Sequence, residues 1–287
     1  MKFGAHVSTS GGLHKAFINA KAAGCDTIQI FSKNQQQWKG KPLTDAEAAQ
    51  FRAAHVESGI NPLVVHDSYL INLASPDPEL QSKSRAAFAD ELDRCARLGI
   101  PYLVTHPGAH VGSGVEAGLA RVAEALNAIF ASGVGEGVTV LLETTAGQGT
   151  TLGRTFEELA AIIAACQYPE RLGVCLDTCH ILVAGYEFRT PESAAQLVAD
   201  FDRIIGIERL KIIHANDAQK DIGSKTDRHA HIGAGFVGID GFRSLMLQPD
   251  IRQVPMILET PKENDPQDDI DNLARLRALA EETSNAI

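Results

Sequence analysis

The 287-residue sequence has no apolar run near the roughly 18 residues that a membrane-spanning helix requires. Its first residues, MKFGAHVSTSGG, contain no continuous apolar stretch of the kind found in secretory signals. Its five cysteines are an odd number without any C-x-x-C pair, which argues against a disulfide framework. We therefore expect a cytoplasmic protein in a reducing compartment, with no membrane partner.

Positive charge is also scarce, because 26 lysines and arginines face 36 aspartates and glutamates, for a formal charge of −10. An acidic chain is a poor nucleic-acid partner unless its binding site supplies local positive charge. Hydrophobic residues make up 44% and charged residues 22%, as in globular proteins. No linker-like or low-complexity segment divides the chain, so we predict one domain over residues 1–287.

The sequence repeats short runs rich in Val, Ile and Leu, separated by alanine-rich segments of helical period. Continuous apolar character is typical of parallel strands buried on both faces. The predicted strands are residues 2–8, 27–32, 63–68, 102–108, 139–145, 173–179, 210–217 and 255–260.

Helix-start signals lie between these runs. Thr44 and Glu47 have capping-box spacing, and Thr155 to Glu158 opens another helix. Eight alternations of strand and helix predict an α/β fold, a single (β/α)₈ barrel with its site at the carboxyl ends of the strands. Two long connections, Ser32 to Leu43 and Asn216 to Ile239, follow the second and seventh strands.

Most of the predicted strands end on a residue that can bind a metal ion or move a proton. Alone, each could be a hydrogen-bonded structural residue or a helix N-cap. Adjacent barrel strands lie only about 4.8 Å apart. These side chains would therefore lie close together at one open end of the barrel, which we call the mouth. The strand-end residues are His6, His66, His106, Glu143, Asp177, His214 and Glu259, and His180, Asp227 and His229 follow in loops.

Cations explain such a cluster best, because unpaired carboxylates packed together cost stability. Imidazole and carboxylate ligands suit Zn²⁺, with Mn²⁺ or Fe²⁺ as alternatives, and the set is large enough for two or three ions. Cys175 and Cys179 flank Asp177. Because they have no partner pair, we expect them to pack in the core and not to bind metal.

Several motifs together resemble those of endonuclease IV, the zinc-dependent abasic-site endonuclease family. The resemblance extends from HVSTSGG near the start to ILETP near the end. The motifs are GVCLDTCH, VVHDSYLINL, THPG, LLETTAGQG, HANDAQ, DRH and ILETP. The resemblance implies a TIM barrel that holds three Zn²⁺ ions, with Mn²⁺ as an alternative at one site.

The resemblance also implies the metal ligands and the catalytic carboxylates, Glu143 and Glu259. His6 is left over, and we interpret it as a hydrogen-bonding neighbour of the ligands. The implied ligands are His66, His106 and Glu143 for one ion, Glu143, Asp177, His214 and Glu259 for the second, and His180, Asp227 and His229 for the third.

The family reaction is cleavage of the phosphodiester 5′ to an abasic nucleotide, which leaves a 3′ hydroxyl, and the family is also associated with 3′ end trimming. A water between the two ions bridged by Glu143 would be the nucleophile. Three Zn²⁺ would outweigh four carboxylates, so the mouth would attract phosphate although the chain is acidic. The expected partner is double-stranded DNA with abasic sites, bound by a monomer.

The resemblance places DNA contacts in the loops after the second and third strands. Tyr69 and Leu70 match residues that fill the gap at an abasic nucleotide, whereas Gln36 stands where the family pattern has arginine. Glutamine has no cation to stack or pair, so we expect weaker DNA binding with unaltered cleavage chemistry. Lys33 and Lys39, with Lys41, are predicted to contact DNA.

Two other functions compete with this prediction. A metal-dependent sugar isomerase or epimerase could use similar strand-end residues on the same barrel, although Tyr69, Leu70 and the third ligand trio argue against it. A non-catalytic DNA-damage binding protein would be expected to have lost ligands, and none is missing. GAGFVG at 233–238 matches G-x-G-x-x-G but follows a loop, which favours a tight turn over a dinucleotide site.

Overall fold

The computed structural model describes residues 1–284, and eight parallel strands close into one barrel. Residues 285–287 of the predicted domain lie outside the described part. In chain order the strands are β1 (Phe3–His6), β2 (Thr27–Phe31), β3 (Leu63–His66), β4 (Tyr102–Thr105), β5 (Thr139–Glu143), β6 (Leu172–Asp177), β7 (Leu210–His214), β8 (Asp217–Ala218), β9 (His229–Ala230) and β10 (Met256–Leu258).

Strands β8 and β9 form a separate antiparallel hairpin, and the other strands pair in sequence order around the barrel until β10 meets β1. Helices connect the strands on the outside. They are α1 (Ala16–Ala23), α2 (Asp45–Ser58), α3 (Pro78–Leu98), α4 (Val115–Ala131), α5 (Phe156–Ala165), α6 (Thr178–Ala184), α7 (Pro191–Ile204), α8 (Gly238–Met246) and α9 (Gln267–Ser284). The predicted (β/α)₈ barrel is confirmed.

Alternation along the strands divides the core into two parts. Residues such as Val65 and Leu142 face the helices and join the main core. Their neighbours face the barrel interior and form a small apolar cluster of their own, in which every side chain is fully buried; burying each stabilises the fold by roughly 1.5–3 kcal/mol. The interior cluster consists of Val64, Val104, Leu141, Cys175, Ile212 and Ile257.

The predicted helix starts are present. The Thr44 side chain accepts a hydrogen bond from the backbone N–H of Glu47 at 3.2 Å, and the Glu47 carboxylate accepts one from the N–H of Thr44 at 2.9 Å. Thr155 caps α5 by accepting from the N–H of Glu158 at 3.3 Å. The strands end one to three residues before the predicted ends, so His106 and Glu259 follow their strands and do not lie within them.

Two long loops leave the carboxyl ends of the strands. The 32–44 loop joins β2 to α2, and the 215–237 loop joins β7 to α8 and contains the β8–β9 hairpin. These connections match the two that the sequence predicts. Among residues 1–284, no helix combines the length and the apolar character needed to cross a bilayer.

Candidate metal centre

A polar layer covers the apolar cluster inside the barrel, at the carboxyl ends of the strands. Side chains two positions apart in a strand point to the same face. Each interior apolar residue is therefore followed, two positions later, by a polar residue that also points inward. The pairs are Val64 and His66, Val104 and His106, Leu141 and Glu143, Cys175 and Asp177, Ile212 and His214, and Ile257 and Glu259.

The first ligand group consists of His66, His106 and Glu143. The Oε2 atom of Glu143 lies 3.1 Å from Nε2 of His66 and 3.2 Å from Nε2 of His106. Glu143 and His66 are buried, whereas the His106 side chain is 33% exposed. One ion could therefore be held at the wall of the barrel mouth and still be reached from solvent.

The second ligand group consists of Glu143, Asp177, His214 and Glu259, whose candidate ligand atoms lie within 4.8 Å of one another. Nδ1 of His214 is 3.0 Å from Oε1 of Glu143 and 3.2 Å from Oε2 of Glu259, and Oδ2 of Asp177 is 3.9 Å away. Glu143 thus presents one oxygen to each of the first two groups, as expected of a bridging carboxylate.

The third ligand group consists of His180, Asp227 and His229. The Oδ1 atom of Asp227 lies 3.1 Å from Nε2 of His180 and 3.5 Å from Nε2 of His229, yet both nitrogens are buried without a hydrogen bond. Their Nδ1 atoms face backbone carbonyl oxygens of Thr144 and Glu259 at 2.8 and 3.0 Å. Since a carbonyl only accepts, each Nδ1 carries a proton, and Nε2 is the ring nitrogen left to bind a cation.

These unpaired nitrogens and the nitrogen and oxygen donors around them fit divalent cations. A buried imidazole nitrogen without a partner is costly, and a metal ion would remove that cost. The structure brings all nine predicted ligands into the three groups that the resemblance implies. Cys179 also lies near Asp177 and His229, but burial raises the pKa of its thiol above the ordinary range, in keeping with the packing role we predict.

The charges in the mouth depend strongly on one another. Burial disfavours the charged form of Glu143, but His214 and His106 outweigh it and hold the pKa of that carboxyl well below its usual range. Burial also opposes charge on His66, yet the neighbouring carboxylates, Glu143 first, raise its pKa to about 9. The pKa values of His180 and His214 are likewise raised by neighbouring groups, so a metal ion that binds these rings would displace protons.

Gln29, which the sequence did not indicate, contacts two of the candidate ligands. Its amide oxygen accepts a hydrogen bond from Nε2 of His214 at 2.8 Å, and its amide nitrogen donates to Oε1 of Glu259 at 2.6 Å. The proton on Nε2 leaves Nδ1 of His214 as the ligand atom. A glutamine in the apolar run TIQIF was the available signal. His6 lies 3.1 Å from the same amide nitrogen and 3.6 Å from Glu259, in keeping with its predicted neighbouring role.

Asp177 is both a helix cap and a candidate ligand. Its Oδ1 atom accepts a hydrogen bond from the N–H of His180 at 2.8 Å at the start of α6, which leaves Oδ2 for the second group. Asn216 donates to Oδ2 of Asp177 at 2.7 Å and accepts from the N–H of Glu259 at 2.7 Å. This asparagine, also missed, links two ligands from different strands.

The structure contradicts the predicted DNA contact of Lys33. The side chain of Lys33 is only 2% exposed, and its ammonium group lies 2.7 Å from Asp90 and 3.5 Å from Glu91, both on α3. Arg94, also on α3, donates to the carbonyl oxygens of Ser32 and Lys41 near the two ends of the loop. The ammonium group of Lys33 is thus paired with carboxylates of α3 and is not free to contact a phosphate.

The other predicted DNA contacts lie at the surface. Gln36 and Lys39 are exposed in the 32–44 loop, and Tyr69 is 63% exposed in the loop after β3, where Leu70 is half-buried. The hydroxyl of Ser68 donates to the carbonyl oxygen of Gln35 at 2.6 Å, so the two loops are tied together.

A cavity of about 220 Å³ lies between the loops after β3 and β4. His66 and His106 of the first ligand group line it, together with Tyr69 and Asn72. A molecule in this cavity would therefore contact both an exposed aromatic ring and the candidate metal ligands.

Residues 17–279 match the family described as "Xylose isomerase-like TIM barrel". The chain is 56% identical, over 280 residues and 98% of both sequences, to "Probable endonuclease 4" of Chloroflexus aurantiacus strain J-10-fl. It is also similar to endonuclease IV from Thermus thermophilus, whose crystal structure has been solved. The sequence identity is 38% and the TM-score is 0.86, over 98% of this chain and 100% of the other.

A solved D-tagatose 3-epimerase-like protein is also similar in structure. It is 21% identical, with a TM-score of 0.77 over 100% of this chain and 99% of the other. At that level of identity the likeness concerns the fold alone.

Proposed function

The chain belongs to the endonuclease 4 family within the xylose isomerase-like TIM barrels, and on that premise we propose that it is a DNA-repair endonuclease. It hydrolyses the phosphodiester 5′ to an abasic site, leaves a 3′ hydroxyl and also trims 3′ ends. The main support is the convergence of nine histidine and carboxylate side chains in three adjoining groups.

Three Zn²⁺ ions would occupy the three ligand groups, with Mn²⁺ as an alternative at one of them. When bound, such ions polarise water and neutralise charge on phosphate oxygens. Glu143 and Glu259 are the proposed catalytic carboxylates. Glu143 faces the first two groups with separate oxygens, and Gln29 orients Glu259 through one oxygen while the other faces His214.

DNA would approach the mouth along the loops after β2 and β3. Tyr69 lies 5.5 Å, ring to ring, from His66, so a base or sugar that contacts the tyrosine is beside the first ligand group. An abasic nucleotide is already unstacked and is extruded at lower cost than a normal one. Tyr69, Leu70 and Gln36 would fill the gap, while Lys39 contacts the backbone.

The alternative of a sugar isomerase or epimerase has weaker support. The third ligand group adds His180, Asp227 and His229 beyond what an enzyme with one or two ions requires. The epimerase-like neighbour shares only the fold, whereas the endonuclease 4 relative from Chloroflexus aurantiacus shares more than half of the residues of this chain. We keep a monomeric state and a cytoplasmic location as predictions.

A cleavage assay tests the proposal. A 5′-labelled duplex with one abasic analogue should be cut once on the 5′ side of the lesion, and a DNA polymerase should extend the product because it ends in a 3′ hydroxyl. The same duplex without the lesion is the control and should stay intact. Prolonged chelation should abolish cutting, and added Zn²⁺ should restore it.

Metal analysis separates the alternatives. The proposal expects about three zinc ions per chain, whereas an isomerase would hold about one or two Mn²⁺ or Mg²⁺ ions and turn over a ketose. Cleavage that persists after complete metal removal would contradict the mechanism.

A further inference from the structure

The third ligand group depends on a loop more than the other two groups do. Asp227 and His229 both lie in the 215–237 loop, and only His180 stands on a helix. The β8–β9 hairpin in this loop has two residues in each strand, and such a short hairpin is not stable by itself. Something else has to hold the two ligands in position.

The carboxylate of Asp217 holds this loop from inside. It is fully buried, and it accepts hydrogen bonds from the backbone N–H groups of five residues. Among residues 1–284, no basic side chain pairs with it. The donors are Ala218 and Val237 at 2.8 Å, Gly233 at 2.9 Å, Gly235 at 3.0 Å and Gly238 at 3.2 and 3.3 Å.

The glycines of GAGFVG permit this close approach of the backbone. A Cβ atom on Gly235 would lie 2.3 Å from the carbonyl oxygen of Ala218 and 2.6 Å from Oδ1 of Asp217. Gly233 has a φ of 79°, which other residues rarely adopt. The motif therefore wraps an internal carboxylate, and these N–H groups are not free to bind a phosphate.

The β8–β9 hairpin links the backbone at Asp217 to the backbone at His229. Asp217 pairs with Ala230, and Ala218 pairs with His229. One residue further, the N–H of Gln219 donates to the carbonyl oxygen of Arg228 at 2.9 Å, and its side-chain amide donates to that of His229 at 2.9 Å. The backbone on both sides of His229 is thus set by the segment that begins at Asp217.

We propose that Asp217 is a positioning residue for the third metal ion: its carboxylate fixes the 215–237 loop so that Asp227 and His229 meet His180. The inference rests on the proposed function, because it presumes that three ions bind. It concerns only the third ligand group. The first and second groups draw their ligands from strand ends and do not include this loop.

Metal stoichiometry tests this inference. Asp217→Asn keeps the shape but turns one acceptor oxygen into a donor that faces N–H groups. After loading with Zn²⁺ and gel filtration, the wild-type chain should hold about three ions and D217N about two, with native circular dichroism. Asp221→Asn is the matched control, because Asp221 is an exposed aspartate of the same loop, paired with Arg189, and D221N should keep all three ions.

The outcomes are distinct. If D217N still holds three ions, this inference is wrong but the proposed function is unaffected. If folded D217N loses all of its ions, the inference is also wrong, because the effect would not be confined to the third ligand group. If D217N does not fold, Gly235→Ala, which leaves Asp217 in place, should lose one ion in the same way. Failure of both variants to fold would assign Asp217 to overall stability and overturn the inference. Fewer than three ions in the wild-type chain would contradict the proposed function itself.

Discussion

The 32–44 loop and the 215–237 loop leave the same end of the barrel, but different interactions hold them. Side chains of the neighbouring helix α3 hold the first loop: Arg94 binds carbonyl oxygens near both of its ends, and Lys33 pairs with Asp90. Backbone N–H groups around the buried carboxylate of Asp217 hold the second.

The difference corresponds to the proposed task of each loop. Metal ligands need positions accurate to a few tenths of an ångström, and backbone hydrogen bonds to a buried carboxylate give that accuracy. A loop that contacts DNA can leave Gln36 and Lys39 free at its tip while its base is anchored. In this loop Lys33 is an anchor, and Lys39 is exposed and free for the DNA contact that we propose.

Removing a ligand from the 215–237 loop should have the largest effect. His229→Ala takes away one donor of the third ligand group, and we expect kcat on an abasic duplex to fall by about 10²–10³-fold, the equivalent of several kcal/mol. His231→Ala is the matched control, since His231 lies two residues away and contacts Asn272, outside the ligand groups. An equal fall in kcat in both variants would show that disturbance of the loop, and not removal of the ligand, causes the effect.

Removing an anchor of the 32–44 loop should mainly reduce stability. Lys33→Met leaves Glu91 buried without its cation, so the free energy of unfolding in urea should fall by about 2–3 kcal/mol; Asp90, partly exposed, keeps Arg94 as a partner. Lys39 is in the same loop but exposed, so Lys39→Met should change the free energy of unfolding by less than about 0.5 kcal/mol. Similar values for the two variants would contradict the assignment of Lys33 as an anchor.

The smallest expected effect concerns the exposed tip of the same loop. Gln36→Arg adds the cation of the family pattern, so the Kd for an abasic duplex should fall by about threefold to tenfold and its salt dependence should steepen by about one unit, with kcat unchanged. Gln37→Arg, exposed next to it, controls for added charge. If Gln36→Arg leaves the affinity unchanged, the departure at Gln36 does not weaken DNA binding.

Much of the barrel and of the candidate site could be predicted because local patterns encode them. An apolar residue followed two positions later by His, Asp or Glu marks an inward-facing strand end, and six of the nine predicted ligands have this spacing. Gln29 is a polar residue in an apolar run, but the run does not show which side chains its amide contacts. Only in the folded barrel, where β2 lies beside β1, does the amide form hydrogen bonds with His214 and Glu259.

The wrong prediction for Lys33 has a related cause. A lysine in a loop without acids suggests free positive charge, but its partners, Asp90 and Glu91, are more than fifty positions away on α3. Arg94, which holds the base of that loop, was not identified for the same reason. Local charge patterns do not reveal which ion pairs form across the fold.

The sequence by itself determined the strands, the polar strand ends and the residue types of the candidate ligands, because side-chain alternation and helix capping act within a few residues. The tertiary structure decided that Lys33 is an anchor, that Gln29 and Asn216 orient ligands, and that Asp217 organises a glycine-rich loop. Each of these depends on which distant segments the closed barrel brings into hydrogen-bonding distance, and spacing along the chain does not specify that.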